Sequence, residues 1–321
     1  MLWLLYAALA AVCFGLRGIL YHWTSQKPLD RNVMLLGVYM SGALVSALFA
    51  LLLRESWTPA VWAGVSMGIF SFVSNAAMFR GFAVGKASLV AIFTALTPIV
   101  VVAASYVLWH ETLNLAQSAS FVIILAGIVM IRYSNDISWG NLKGAEWALL
   151  AMVAFGITDL SSKQAMLWGA DKLPTLFVMY ATGSLLFGAS WLRARQAARR
   201  LAAVRGSAAG ELAAAAVSEA AVGELAAEGL APAKAKAAVR WTTSRTIWLG
   251  MVVGLSNISG MLLILPAFEL GVTGLVSAVI ATNVLLILLY ARLVLKEVWT
   301  RMEFAGILTA IVGVLLLRLL G

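Results

Sequence analysis

The sequence predicts an all-α integral membrane protein: ten transmembrane helices, arranged as two inverted five-helix repeats around a central cavity. Three observations predict it. Of the 321 residues 62% are hydrophobic and 12% charged, against roughly 45–50% and about 25% in a soluble domain, so the polar residues needed to coat a water-facing surface are missing. Ten apolar runs approach the roughly 20 helical residues that cross a hydrocarbon core. The second half of the chain also repeats the order and spacing of the first.

The runs fall near 2–22, 33–53, 60–79, 87–109, 114–132, 145–168, 174–192, 246–267, 273–295 and 301–319. Lipid leaves backbone groups no outside partner, and the runs are too long for barrel strands, so each is expected to be a helix. The first opens at Leu2 with no basic segment before it, which predicts a retained span rather than a cleaved signal. Most connections are a few residues long and make consecutive helices antiparallel. The exception is 193–245, an Ala-rich stretch with nine Lys/Arg against four Glu, interrupted by Gly206, Gly210, Gly223, Gly229 and Pro232. Short interfacial helices outside the bilayer are expected there, serving as a linker or, through the basic ends, as a lipid-surface element.

The repeat sets the domains. An offset of 186 carries Phe82 onto Phe268, Gly85 onto Gly271, Glu111 onto Glu297, Gly127 onto Gly313 and Arg132 onto Arg318 without a gap. Upstream, Gly68 and Ser74-Asn75 correspond to Gly250 and Ser256-Asn257, and Phe14-Gly15 to Phe155-Gly156. The repeats are therefore 1–133 and 134–321, the second carrying the 193–245 insertion between helices 7 and 8. Five helices is an odd number, so the second copy enters the membrane in the opposite sense, the plan on which alternating-access carriers are built, with a site near mid-depth. With both termini away from the cytoplasm, the cytoplasmic side holds eighteen Lys/Arg and the other side Arg54, Lys163, Lys172 and Arg318. The positive-inside rule thus puts the 193–245 loop in the cytoplasm.

Composition excludes several classes. Cys13 is the one cysteine, and His22 and His110 lie far apart, so neither a disulfide framework nor a metal or haem centre is expected, and no cofactor. Gly-rich phosphate loops and nucleophile elbows are lacking, which argues against an enzyme. The net charge of +9 sits in the gaps between apolar runs, where it reads as topology rather than nucleic-acid binding.

Charge within a span costs about 2.5–3.5 kcal/mol on insertion scales, so each instance needs a reason. Asp159 lies near the middle of the sixth span, where a buried carboxylate can exchange a proton and couple transport; the plainer alternative is an ion pair with Lys163 one turn on, or with Arg17. Arg17 either snorkels or offers its donor fork to a substrate carboxylate or phosphate. Ser74-Asn75 and Ser256-Asn257 are either interhelical hydrogen-bonding groups or facing walls of one cavity, and the same choice holds for Thr97 and its equivalent Asn283. Pro98 frees a backbone carbonyl and makes a hinge. Glu111 and Glu297 end the fourth and ninth spans against the helix dipole, so a helix N-terminus or a basic side chain must compensate them, as structural turns or as a gate. Tyr39, Phe72, Phe79 and Tyr180 pack, or stack on substrate.

The stretch from Arg80 to Arg132 resembles the repeat of EamA-type members of the drug/metabolite transporter superfamily. The marks are Gly85 and Ala87 in a turn, Pro98 midway along the fourth helix, Glu111 before the fifth, and Ala126-Gly127 in the last. The second copy keeps Gly271, Thr273, Glu297, Gly306 and Gly313 but has Val284 where Pro98 sits, so a bend there needs another cause. Phe155-Gly156 followed by Lys163 is similar to the family's aromatic-Gly-to-Lys pattern, with His22 at the matching place in the first helix. The resemblance implies a ten-helix carrier of the bacterial inner membrane that moves small polar metabolites such as amino acids, often outward. Its partners would be that small-molecule substrate, the lipid bilayer and, through Asp159 and Lys163, protons. Bacterial members are drawn with both termini cytoplasmic, whereas the charges of this chain favour the reverse. A lipid head-group flippase and an uncoupled channel are the competing classes, and both monomer and homodimer stay open.

Overall fold

The computed structural model describes residues 2–25, 27, 29–84, 87–132, 143–220, 242–294, 296 and 300–320, the side chains of 25, 82–83, 87–88, 132 and 201–220 excepted. Among the described residues there are helices and no strands. In chain order these are α1 (Leu2–Ser25), α2 (Arg31–Leu53), a 3-10 turn (Pro59–Trp62), α3 (Ala63–Val84), α4 (Ala87–Ala95), α5 (Thr97–Trp109), α6 (Leu115–Arg132) and α7 (Ala145–Leu167), followed by α8 (Lys172–Ala220), α9 (Thr243–Leu270), α10 (Thr273–Ala281), α11 (Asn283–Leu293) and α12 (Arg301–Leu320). Among the described residues eight segments are long and apolar enough to cross a membrane: Leu2–Thr24, Arg31–Leu53, Pro59–Gly81, Leu89–Trp109, Lys172–Arg200, Thr243–Leu270, Thr273–Leu293 and Arg301–Leu320. The apolar part of α6, Leu115–Ile131, is shorter. Helix α7 is long enough, but Thr158-Asp159 and Ser161 to Gln164 dilute its hydropathy.

Two spans expected as single helices are broken. The first breaks at Leu96, where φ and ψ are −87° and 4°. Pro98, second in α5, has no N–H to continue the ladder, and the Thr97 hydroxyl donates to Thr94 O at 2.8 Å. The offset of 186 carries Leu96 onto Thr282, and the second break is there. No proline is involved: the Thr282 hydroxyl donates to Val279 O at 2.6 Å, occupying a carbonyl of the preceding turn. The 193–245 stretch differs from expectation as well. Through residue 220 it forms no separate short helices but continues α8 as one 49-residue helix, because Ala, Arg and Glu sustain what Gly206 and Gly210 alone do not stop. Residues 221–241 lie outside the described residues.

Helix pairs recur in matched sets. Helix α2 packs on α9 as α3 packs on α8, α3 on α7 as α9 on α1, α4 on α7 as α10 on α1, and α5 on α7 as α11 on α1, while α2 meets α8 and α6 meets α12. Small residues permit the closest approaches, as lipid-embedded helices require in the absence of a water-driven force. A Cβ on Gly250 would lie 3.0 Å from Gly37 Cα. In the α6–α12 contact, a Cβ on Gly127 would come within 2.7 Å of Gly306 O, and one on Gly313 within 2.8 Å of Ile124 N. Between α2 and α8 the contact is reciprocal: the Tyr39 ring lies over Gly183 and the Tyr180 ring over Gly42, with the two rings edge to face at 5.6 Å. An offset of 141 carries Tyr39 onto Tyr180 and Gly42 onto Gly183. The innermost side chains include Tyr180, Phe187, Phe268 and Leu265, while leucines such as Leu44, Leu48, Leu51 and Leu52 stand exposed on the outside, where lipid would cover them.

Candidate functional site

Polar side chains from five helices meet in the interior as two hydrogen-bonded sets joined by a ring contact. Ser71 on α3 and Tyr39 on α2 join their hydroxyls. The Tyr39 ring meets Tyr180 on α8 edge to face at 5.6 Å and Phe187 at 5.0 Å. Tyr180, fully buried, accepts a hydrogen bond from Asn257 Nδ2 on α9 at 3.1 Å. Asn257 Oδ1 in turn accepts from Arg17 Nη1 on α1 at 2.5 Å. The Arg17 guanidinium lies 4.6 Å from the centre of the Phe14 ring and 5.8 Å from that of Tyr21. Asn257 stands midway along its 28-residue helix, well inside any bilayer that α9 crosses.

The two Ser-Asn pairs do not behave alike. Asn257 reaches across to two other helices, whereas Asn75 Nδ2 donates to Ser71 O of its own helix at 2.7 Å. Ser74 and Ser256 likewise turn back to carbonyls three residues upstream, Ser71 O at 2.9 Å and Val253 O at 2.7 Å. Thr97 and Asn283 sit at the two helix breaks, Asn283 as the first residue of α11. Phe79 lies apart from the chain of contacts, with the Arg31 guanidinium 5.4 Å from its ring centre.

The acidic and basic candidates pair differently from the expectation. Asp159 forms no ion pair with Lys163 or with Arg17; its Oδ2 accepts from Ser277 Oγ on α10 at 2.7 Å. Lys163, 6% exposed, turns instead to the ends of two other helices. Its Nζ donates to Phe268 O at 2.8 Å and Gly271 O at 3.1 Å and lies 3.2 Å from Glu111 Oε1. With a half-buried carboxylate partner and two carbonyls, Lys163 ties its own helix to the ends of two others. Glu111 also accepts from the Thr273 amide at 2.8 Å and hydroxyl at 3.0 Å. The compensation that a carboxylate at a helix C-terminus demands thus comes from Lys163 and from the N-terminus of α10, not of the next helix in sequence. Glu297 lies outside the described residues, and Pro98 is buried at the break between α4 and α5.

Two hollows open at opposite ends of α3. One, of about 130 Å³, is lined by Tyr21, Thr24, Lys27, Leu29, Arg31, Met34 and Phe79. The other, of about 350 Å³, is lined by Pro59, Trp62, Ala63, Ser66, Ser161, Gln164 and Trp168. Sequence reasoning missed Ser71, Ser277 and Gln164. The available signal was a polar side chain within an apolar run, which for Ser71 recurs one turn later at Asn75. Among the described residues no three His, Cys, Asp or Glu side chains gather as a metal site would need.

A solved crystal structure aligns over 99% of this chain and 99% of its own, with a TM-score of 0.70 and 13% sequence identity, which establishes a shared fold. Comparison with curated proteins gives no match. The long apolar helices make this a multi-pass membrane protein. Residues 1–133 match the model of the EamA-like transporter family.

Proposed function

We propose that the protein is a secondary carrier of small polar metabolites, with amino acids and related compounds foremost, working by alternating access. In this proposal ten crossings, α4–α5 and α10–α11 each forming one broken crossing, make two oppositely inserted five-helix copies. The matched helix pairs and the offsets of 141 and 186 support the duplication. The observation that carries the proposal is the pair of hydrogen-bonded sets, Arg17–Asn257–Tyr180 and Tyr39–Ser71, joined by an edge-to-face contact of the two tyrosines, which brings α1, α2 and α3 of one half against α8 and α9 of the other. Ionisable and polar groups buried between two halves are costly in lipid, and where they occur they mark substrate or ion pathways. The hollows at opposite ends of α3 supply the two approaches that alternation needs.

Net export across a bacterial inner membrane, with 193–245 on the cytoplasmic side, is part of the proposal. Metabolite profiles of cells and medium with and without the protein test it: the substrate accumulates outside when the protein is present. Profiles that coincide overturn it. Proton coupling through Asp159 is separable. Asp159→Asn is expected to abolish flux driven by an imposed pH gradient in proteoliposomes while leaving exchange intact, and unchanged gradient-driven flux overturns the coupling.

A further inference from the structure

A cation at the depth of the hydrocarbon needs a counter-charge or a set of aligned dipoles. Lys163 has both, in Glu111 and two carbonyls. Arg17 lies eight residues before the end of α1, about 12 Å along the helix. Its Nη1 donates to the neutral Asn257 amide, and the guanidinium rests over Phe14 and Tyr21. Among the described residues no carboxylate pairs with it, and Asp159 is engaged by Ser277. A guanidinium carries five N–H donors in a planar fork that matches a carboxylate, and only one of the five is taken here by a side chain of the described residues. Tyr180 adds a donor: its hydroxyl accepts from Asn257, and its own proton finds no acceptor among the described residues.

The approach has the same sign. Tyr21, whose ring neighbours the Arg17 guanidinium, also lines the 130 Å³ cavity with Lys27, Arg31 and Phe79, and among the described residues no Asp or Glu is in that lining. Cationic walls draw anions and repel cations. The rings of Tyr21 and Phe79 offer an apolar face to the body of a solute. The volume is below the roughly 300 Å³ at which sites for drug-sized ligands begin, so the solute is small.

We propose that the transported solute is a small organic carboxylate, its carboxylate group seated on the Arg17 fork beside Asn257 and Tyr180 after entry past Lys27 and Arg31. The proposal rests on the carrier function above and adds the charge of the cargo. Counterflow in proteoliposomes of the full chain tests it, with three probes of one carbon skeleton: mandelate, mandelamide and 2-amino-1-phenylethanol. Mandelate is expected to exchange at least about 10-fold faster than the neutral and cationic probes. Arg17→Gln removes the charge-assisted contact and Asn257→Asp gives the guanidinium a fixed partner, so each is expected to lower mandelate exchange by about 10- to 100-fold. The second variant preserves size, so it tests the site even where the first fails to fold. Equal exchange of the amide or amine, parental exchange by a folded variant, or no exchange of any probe overturns the anion site. The carrier proposal falls separately, on coincident metabolite profiles.

Discussion

Replacing Lys163 by Met keeps the length of the side chain and removes its charge. The cost follows from what the ammonium holds. Phe268 O and Gly271 O each lose a donor, at 2.8 and 3.1 Å, and Glu111 loses its cation at 3.2 Å. Glu111 keeps the Thr273 amide and hydroxyl, at 2.8 and 3.0 Å, so it is left partly rather than wholly unpaired. Breaking a buried pair from one side costs about 3–5 kcal/mol. The retained contacts put the expected loss near the lower end, about 3 kcal/mol. Glu111→Gln leaves an amide oxygen for both Thr273 donors, and about 1–2 kcal/mol is expected. The double variant should then cost less than the two losses together by about 1–2 kcal/mol, the coupling of groups in direct contact. Reversible unfolding in mixed detergent–SDS micelles measures all three variants against the parent. A Lys163→Met loss under 1 kcal/mol, or additive single losses, would refute the claim that this pair ties α7 to the end of α9 and the start of α10.

Three further outcomes are expected. Gly42→Ala and Gly183→Ala each drive a Cβ into a tyrosine ring and should destabilise by a similar 1–3 kcal/mol, while Gly188→Ala, whose Cβ meets only Leu36 Cδ1 at 3.8 Å, should be neutral or stabilising; the same micelle unfolding assay separates them. Pro98→Ala should change stability by under about 1 kcal/mol and keep the break at Leu96, because Thr282 makes the equivalent break with Val284 in the proline's place; amide hydrogen exchange across 94–99 reads it. Asp171 accepts from the Ser56 hydroxyl at 2.5 Å and amide at 2.7 Å, and these bonds hold its carboxyl below the usual range. Its contribution is therefore complete above the unfolded value near ~3.9 and lost as pH falls through the lower folded value. Exposure keeps it small. Asp171→Asn should be slightly less stable than the parent at neutral pH, with the difference vanishing in acid unfolding curves.

Much of the fold was legible because lipid imposes a single requirement, roughly 20 apolar residues per crossing, and the apolar runs supplied it. The broken crossings were only half legible. Pro98 announced the first, but Thr282 marks the second through a hydroxyl bonded to its own helix, and a threonine does this in many helices without a break. The end of the seventh run was misplaced because polarity marks where lipid stops, not where a helix stops, and α8 continues to Ala220. Within the interior, residue types identified Arg17, Asn257, Tyr39 and Tyr180 as candidates, but pairing was beyond the sequence. Lys163 and Asp159 share a helix face one turn apart, and the choice of Glu111 and Ser277 instead depends on where α5 and α10 cross α7.

The crossed seating of Tyr39 on Gly183 and Tyr180 on Gly42 has a consequence for how such a molecule can change over generations. Neither glycine can grow unless the phenol opposite shrinks, and a shortened ring leaves a void that only a bulkier residue on the facing helix refills. The four positions therefore tolerate exchange in opposed pairs rather than one at a time, so two distant stretches of the chain are bound to a common history.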